Sequence, residues 1–400
     1  VLEVIYPIDF ERVRSWLHND AWPFWAREGV DRVNGGFVEH LDLDGRDGQA
    51  DGKRVRAHAR QVYCFSQAAL LGFDDGHAIS DHGWAFLTEH GRRADGGWGR
   101  MMGRTGALLD PTSDAYDLAF ILFAHAWRYR LTQDSAIVES ALEAAEWLER
   151  DLRHPNGLGW LADQGDAGPR QQNPHMHIIE ATLELADATG HPQFAALGQE
   201  VAGLMCDHFL DRNSGVLREF FNAGWERLPG PQGAIVEPGH QFEWTWILLR
   251  AERILGLSLR REAEALYEFA DRHGVDHATG LVYDQVNPDG HPIIRDSRSW
   301  PQTEALKAHL AMLETQGIDT RGKISKTLDN IFRYYLSPCP VGAWMDHRRH
   351  DGLPKANKIP STTLYHLQLS FTELLRLQPL IEAFDIRSGY PQSRPANEAV

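Results

Sequence analysis

Six times along the chain a glycine-bearing, aromatic-rich stretch runs into an apolar segment long enough to be a helix, at a period of roughly sixty residues. The stretches begin at Gly35-Gly36-Phe37, Gly96-Gly97-Trp98, Gly157-Leu158-Gly159-Trp160, Gly215-Val216-Leu217, Gly280-Leu281-Val282-Tyr283 and Gly342-Ala343-Trp344. Helix-forming runs follow over residues 56–71, 113–129, 173–188, 239–255, 299–313 and 361–375. A second set, over residues 9–27, 80–91, 134–152, 192–210, 257–273 and 320–336, sets apolar residues at helical spacing beside charges. Runs such as Leu118-Ala119-Phe120-Ile121-Leu122-Phe123-Ala124 in the first set are apolar around most of their circumference, which suits helices buried on several sides. The expected fold is all-α: an (α/α)6 barrel of six inner and six outer helices, with short β-hairpins at one mouth joining each outer helix to the next inner one. The rival is an open solenoid, which needs polar capping repeats that neither end of the chain offers.

The repeat runs through nearly the whole chain with no linker, so residues 1–400 read as a single domain, with 376–400, where Pro379, Pro391 and Pro395 fall, as an irregular tail. Helix-start signals at Pro111-Thr112-Ser113-Asp114, Asn173-Pro174 and Pro360-Ser361-Thr362 place the starts of inner helices at the mouth where the glycine stretches lie. With 13 Trp, 17 Phe and 10 Tyr, the chain has aromatic surface enough for a large core and a lined cavity. A net charge of -16 speaks against a nucleic-acid partner, because phosphate neutralisation needs clustered Lys and Arg. Cys64, Cys206 and Cys339 lie far apart without metal-ligand spacing, as in a protein of a reducing compartment, the cytoplasm by default. No apolar run approaches bilayer length and no basic-then-apolar signal opens the chain, so no membrane partner is expected.

A closed barrel turns the first turns of its inner helices toward one pocket. Those turns carry Arg60, Asp114 and Asp117, Asn173 and His177, His240 and Glu243, Trp300 and Glu304, and His366. In Gly239-His240-Gln241-Phe242-Glu243-Trp244 the His and Glu stand three apart and share a helix face, so the carboxylate is expected to orient the imidazole and raise its basicity, unless the pair is merely a satisfied core contact. His366 sits in an apolar run where a charged imidazole is costly without partners. Arg60 suits an oxyanion or vicinal hydroxyls, or else pairs with Asp114 or Glu304. Asn173 either caps its helix or binds a ligand, and His177 is a core or a site residue. Trp300 offers a flat face to a sugar ring or belongs to the core, Asp114 faces the pocket or only caps its helix, and Asp117 and Glu304 face the pocket or pair with arginine. No His-x-His or His-Glu-x-x-His spacing marks a metal centre, so no metal is expected.

Taken together, Arg60-Gln61, Asn173-Pro174-x-x-His177, Pro238-Gly239-His240-x-Phe242-Glu243-Trp244, Trp300-x-x-x-Glu304 and Tyr365-His366 resemble the N-acylglucosamine 2-epimerase superfamily over almost the whole chain. The resemblance implies an (α/α)6 barrel that interconverts sugars without a required metal or other cofactor. It puts the acid/base pair on His240 and His366, with Arg60, Asn173, His177, Glu243 and Glu304 binding substrate; the helix-start positions add Trp300 as a substrate-binding residue and Asp114 and Asp117 as further candidates. Two departures matter. Arg56 stands where many relatives carry an aromatic residue, and Ser299-Trp300 lacks the doubled tryptophan typical of cellobiose epimerases. The pattern is most like the mannose isomerases, which implies D-mannose to D-fructose isomerisation through a cis-enediolate, with sugar 2-epimerisation as the alternative and a monomer or homodimer as the assembly. A glycoside hydrolase acting through Asp117 and Glu304, and a noncatalytic sugar-binding protein, are the more distant readings.

Overall fold

The computed structural model describes residues 8–165 and 168–383. Six inner helices, Val55–Leu70, Ala115–Thr132, Gln172–Thr189, Pro238–Leu255, Ser299–Gln316 and Leu364–Arg376, each pack against the next, and the last packs against the first. That contact closes the ring, and the open solenoid is excluded. The outer helices form a second layer: a helical stretch over residues 10–28, then Gly76–His90, Ser135–Trp147, Pro192–Leu204, Arg260–His273 and Arg321–Asn330. The last five each lie on the inner helix that precedes them, whereas the first lies on the final inner helix. Trp16 meets Phe371 edge-on at 5.3 Å, and Trp22 Nε1 donates to Gln368 Oε1 at 2.9 Å.

Burial follows the two kinds of sequence. Every residue from Leu118 to Ala124 is at most 1% exposed, because neighbours on both sides, the barrel interior and an outer helix cover the whole circumference. Outer helices bury one stripe, as in Arg260–His273, where Ala263, Leu266, Tyr267, Phe269 and Ala270 face inward. Among the described residues no helix is long and apolar enough to cross a membrane, and the three cysteines are free.

The short strands depart from the expected local hairpins. Hairpins within a repeat pair Met101–Gly103 with Leu108–Asp110, Leu210–Asp211 with Val216–Leu217, and Gln285–Val286 with Pro292–Ile294. The other ladders join different repeats: Gly52–Arg54 with Met101–Gly103, Arg170–Gln171 with Phe220–Phe221, Ser297–Arg298 with His347–Arg348, and His40–Leu41 with Ile359–Pro360. The last of these ties the final repeat back to the first. Single-repeat patterning cannot show such pairing, since each partner lies in a different repeat, and in the last ladder at the far end of the chain.

Some boundaries also move. The second outer helix begins at Gly76 rather than Ser80, and the fifth at Arg260 rather than Leu257. Ser361–Thr363 forms a 3-10 turn before the last inner helix. The segment expected to be irregular from 376 carries a further short helix, Gln378–Glu382, anchored by buried Ile381; the rest of it, 384–400, lies outside the described residues.

Candidate active site

The mouth that bears the strands opens into a cavity of about 760 Å³. Arg60, Asn173, His177, His240, Glu243, Trp300 and His366 all line it, each from the first turns of an inner helix.

Arg60 enters from the first inner helix. Its guanidinium lies over the Phe120 ring, 3.9 Å from the centroid, and Nη2 donates to the Tyr116 hydroxyl at 2.7 Å. Neither Asp114 nor Glu304 pairs with it, so its charge meets aromatic rings and neutral oxygens and is available to an oxyanion. Asn173 is the second residue of its helix and Gln171 stands before the helix, so the capping role fails. Its buried Oδ1 has no protein partner. One turn on, His177 Nδ1 bonds Glu180 Oε2 at 3.0 Å between the rings of Tyr116 and Phe120. Burial lowers the pKa of His177 despite Glu180.

His240 is oriented by a residue that no sequence pattern marked. Its Nδ1 lies 2.9 Å from Glu219 Oε2, with Glu237 at 3.8 Å. Gln172 braces both partners: its Nε2 donates to Glu219 Oε2 at 2.8 Å and lies 3.1 Å from His240 Nδ1, while its Oε1 accepts from Trp244 Nε1 at 2.7 Å. Glu243, expected to orient His240, instead points deeper, with Oε1 at 4.0 Å from His177 Nδ1. The two do share a helix face. At the mouth, however, His240 meets the connector that follows Val216–Leu217, and Glu243, nearly a turn further in, meets the barrel floor.

His366 is held by Glu304, whose Oε1 lies 2.8 Å from Nδ1. Trp300 stands between the two imidazoles, with ring centroids 5.2 Å from His240 and 5.8 Å from His366. It reaches that place because position 239 is glycine: a Cβ there would meet Trp300 Cη2 at 2.5 Å.

The two histidines are pushed in opposite directions. Burial disfavours the charge on His240, but Glu219 and Glu237 outweigh it and push the pKa up to about 10. For His366 burial, Arg60, Lys307 and His177 act together and hold it well below the ordinary histidine value. Of this pair, the surroundings of His240 favour the imidazolium at neutral pH and those of His366 the neutral imidazole.

The aspartates of the second repeat do not join them. Asp114 is a helix cap, accepting from the backbone N–H groups of Tyr116 at 2.8 Å and Asp117 at 3.1 Å, and it borders only an adjoining cleft beside Arg54 and Arg56. Asp117 is buried outside the cavity and accepts from Arg56 at 2.7 Å; burial lifts it to about 6 against that pairing. The Asp117–Glu304 acid pair of a glycoside hydrolase is thus not assembled. Glu304 itself sits behind His366 and pairs with Lys307 at 2.7 Å rather than with an arginine.

Ligand atoms of His177, Glu180 and Glu243, and of Glu243, Glu304 and His366, lie within 4.8 Å of one another, the geometry of a possible metal centre. Lys307 already sets a cation against Glu304 there, which competes with any metal for the same carboxylate. Glu219, Gln172, Glu180 and Lys307 were not legible as site residues. Glu219 lies in a connector without periodicity; Lys307, a charge inside an apolar helix one turn from Glu304, did carry a signal.

A closed helical barrel whose cavity sets an imidazolium and a neutral imidazole beside an arginine is built for proton transfer on a small polar ligand. The model of the N-acylglucosamine 2-epimerase (GlcNAc 2-epimerase) family matches residues 35–370, and the chain belongs to that family. It is an enzyme, a sugar isomerase or epimerase. A protein named mannose-6-phosphate isomerase from Rhizobium meliloti (strain 1021) is 33% identical over 373 residues, covering 90% of this chain and 95% of that protein. The D-mannose isomerase of Pseudomonas cannabina pv. alisalensis is 29% identical over 347 residues, covering 76% of this chain and 80% of its own. In fold, the cellobiose 2-epimerase of Bacillus thermoamylovorans B4167 superposes with a TM-score of 0.83 at 21% identity, over 92% of this chain and 98% of that one.

Proposed function

We propose that this enzyme interconverts D-mannose and D-fructose, with the whole chain acting as one monosaccharide-isomerising unit that requires no metal. The observation that carries the reading is the placement of His240 and His366 on either side of Trp300 in one cavity, with Glu219 and Glu237 raising the pKa of the first and burial, Arg60 and Lys307 lowering that of the second. Neutral His366 takes the C2 proton of the open-chain aldose. The charge that develops on O1 is met by the His240 imidazolium and Arg60, giving a cis-enediol or enediolate. Proton return to C1, with loss of the O2 proton as the new carbonyl forms, yields the ketose. Glu219 and Glu304 orient the two rings, and Asn173 Oδ1, left without a protein partner, accepts from a sugar hydroxyl. Free cysteines suit a reducing compartment, the cytoplasm.

A second reading, 2-epimerisation, is favoured by the presence of two acid/base groups in the same cavity, because protonation of C2 from the face opposite the base gives the epimer. Phosphorylated mannose, the sugar in the name of the relative from Rhizobium, deserves the same assay: Lys358 lines the cavity mouth, and no described acid pairs with it. NMR of D-mannose and of its 6-phosphate, each incubated with EDTA-treated enzyme in deuterated water, separates these readings. Fructose with deuterium at C1 supports isomerisation, and glucose without fructose replaces it with epimerisation. Turnover lost to EDTA and restored by a metal overturns the histidine mechanism.

A further inference from the structure

The pair formed by His366 and Glu304 ends on a third buried group. Lys307 lies one turn beyond Glu304 on the fifth inner helix, so the two share a face. Its Nζ is 2.7 Å from Glu304 Oε2, while Oε1 of the same carboxyl holds His366 Nδ1 at 2.8 Å. Lys307 and Glu304 are both fully buried, and the ammonium rests over the Trp246 ring, 4.0 Å from its centroid. Stability does not ask for this arrangement, because replacing a buried ion pair with packed apolar side chains is commonly neutral or favourable. We propose that Lys307 is a positioning residue: it keeps Glu304 a carboxylate, and through Glu304 it fixes His366 as the Nδ1–H tautomer, leaving Nε2 as the base. The proposal rests on the reading of His366 as the group that takes the C2 proton.

The chemistry turns on the state of one carboxyl. As a carboxylate, Glu304 can only accept, so the proton of neutral His366 must sit on Nδ1. As a carboxylic acid it would donate to Nδ1, drive the ring proton to Nε2 and remove the base. The groups around His366 are Arg60 from the first inner helix, His177 and Glu180 from the third, Glu243 from the fourth, Lys307 and Glu304 from the fifth, and Tyr365 beside it. Burial drives Glu243 well above the carboxylate range, whereas Glu180 stays low despite burial because His177, Lys307 and the Tyr365 hydroxyl hold its charge. Burial raises Glu304 as well, and Lys307 is the main influence opposing that rise. Glu304 thus stands between its two neighbours, and the ammonium is what decides its state.

The test joins NMR with kinetics. In protein labelled with 15N-histidine and 13C-glutamate, assigned with H366N and E304Q, wild type at neutral pH is expected to show Glu304 ionised and His366 protonated on Nδ1. K307M is expected to move that proton to Nε2. It should also lower kcat on D-mannose, on the order of 10- to 100-fold, with KM changed by less than about threefold. K307R, which keeps the charge, should retain the wild-type tautomer. Removing the ammonium also lifts the His366 pKa, so the acid limb of kcat/KM should move to higher pH in K307M. A K307M protein with the wild-type tautomer and unchanged kcat overturns the proposal, as does a protonated Glu304 in wild type, which decides the matter even where K307M fails to fold. H366N that still exchanges the C2 proton overturns the reading of His366 itself, a separate result.

Discussion

Two histidines of one cavity, His240 and His366, are set in opposite electrostatic surroundings by the neighbours of Nδ1. Glu219 and Glu237 face His240 and favour its proton, while Glu304 shares its charge with Lys307 and leaves His366 to burial and to Arg60. The expected pH profile follows by sign. In the proposed mechanism turnover requires neutral His366 and charged His240. The acid limb of kcat/KM should therefore lie below the ordinary histidine value of 6.5, and the alkaline limb near 10. E219Q removes the nearest of the charges that raise His240, so its alkaline limb should fall toward 6.5, a change read directly from a pH series. The same raised pKa contributes stability that is fully present below 6.5 and is lost as pH rises through about 10, so wild type and E219Q should differ most in thermal stability just below pH 6.5 and converge above about pH 10. D117N serves as a control: Asp117 lies outside the cavity, and kcat should stay within about twofold, as for substitutions away from a site.

At the scale of the element, four of the six glycine stretches are latched by a side chain from the inner helix that follows. His58 Nε2 accepts the Phe37 N–H at 2.9 Å, and His175 Nε2 accepts that of Trp160 at 3.1 Å. In later repeats glutamine takes the place, Gln241 Oε1 for Leu217 at 3.3 Å and Gln302 Oε1 for Val282 at 3.4 Å. Burial keeps His58 and His175 down at about 3, neutral and able to accept. H175A should therefore leave a buried N–H unpaired and cost about 1–3 kcal/mol in denaturant unfolding without moving kcat. G239A is expected to do the reverse. Its Cβ meets Trp300 at 2.5 Å, so the ring must move from between the imidazoles, raising KM or lowering kcat at nearly unchanged melting temperature. These two positions mark the limit of what sequence discloses. The glycine stretches and inner helices were legible because apolar periodicity and φ-permissive residues recur, His240 because Glu243 stands three residues on, and His366 because it interrupts an apolar run. Asn173 was not separable from a cap, and Glu219 was invisible, because a connector residue gains its role only from the helix that happens to face it.

For the whole molecule, closure is what makes a site out of residues more than 300 positions apart. Arg60 and His366 become neighbours because the last inner helix packs on the first, and that contact is backed from outside by the helical stretch over residues 10–28. Trp22 is fully buried there, with Nε1 donating to Gln368 Oε1 at 2.9 Å, and Gln368 in turn donates to the Cys64 carbonyl at 2.9 Å. The chain from outer helix to last inner helix to first inner helix is thus continuous. Trp25 adds a stack on Trp344 at 4.7 Å and a hydrogen bond to the Gly342 carbonyl at 3.1 Å, fixing the same stretch to the sixth glycine turn. W22A removes the largest side chain at this seam and leaves Gln368 without its donor, which should cost about 3–5 kcal/mol. In an open array such a loss loosens one end and the remaining repeats melt later, giving two transitions. In a closed ring the seam is shared by the first and last repeats, so W22A should lower one melting temperature at which helical signal and turnover vanish together. Two separated transitions, with turnover lost only in the second, would show that closure does not carry the site.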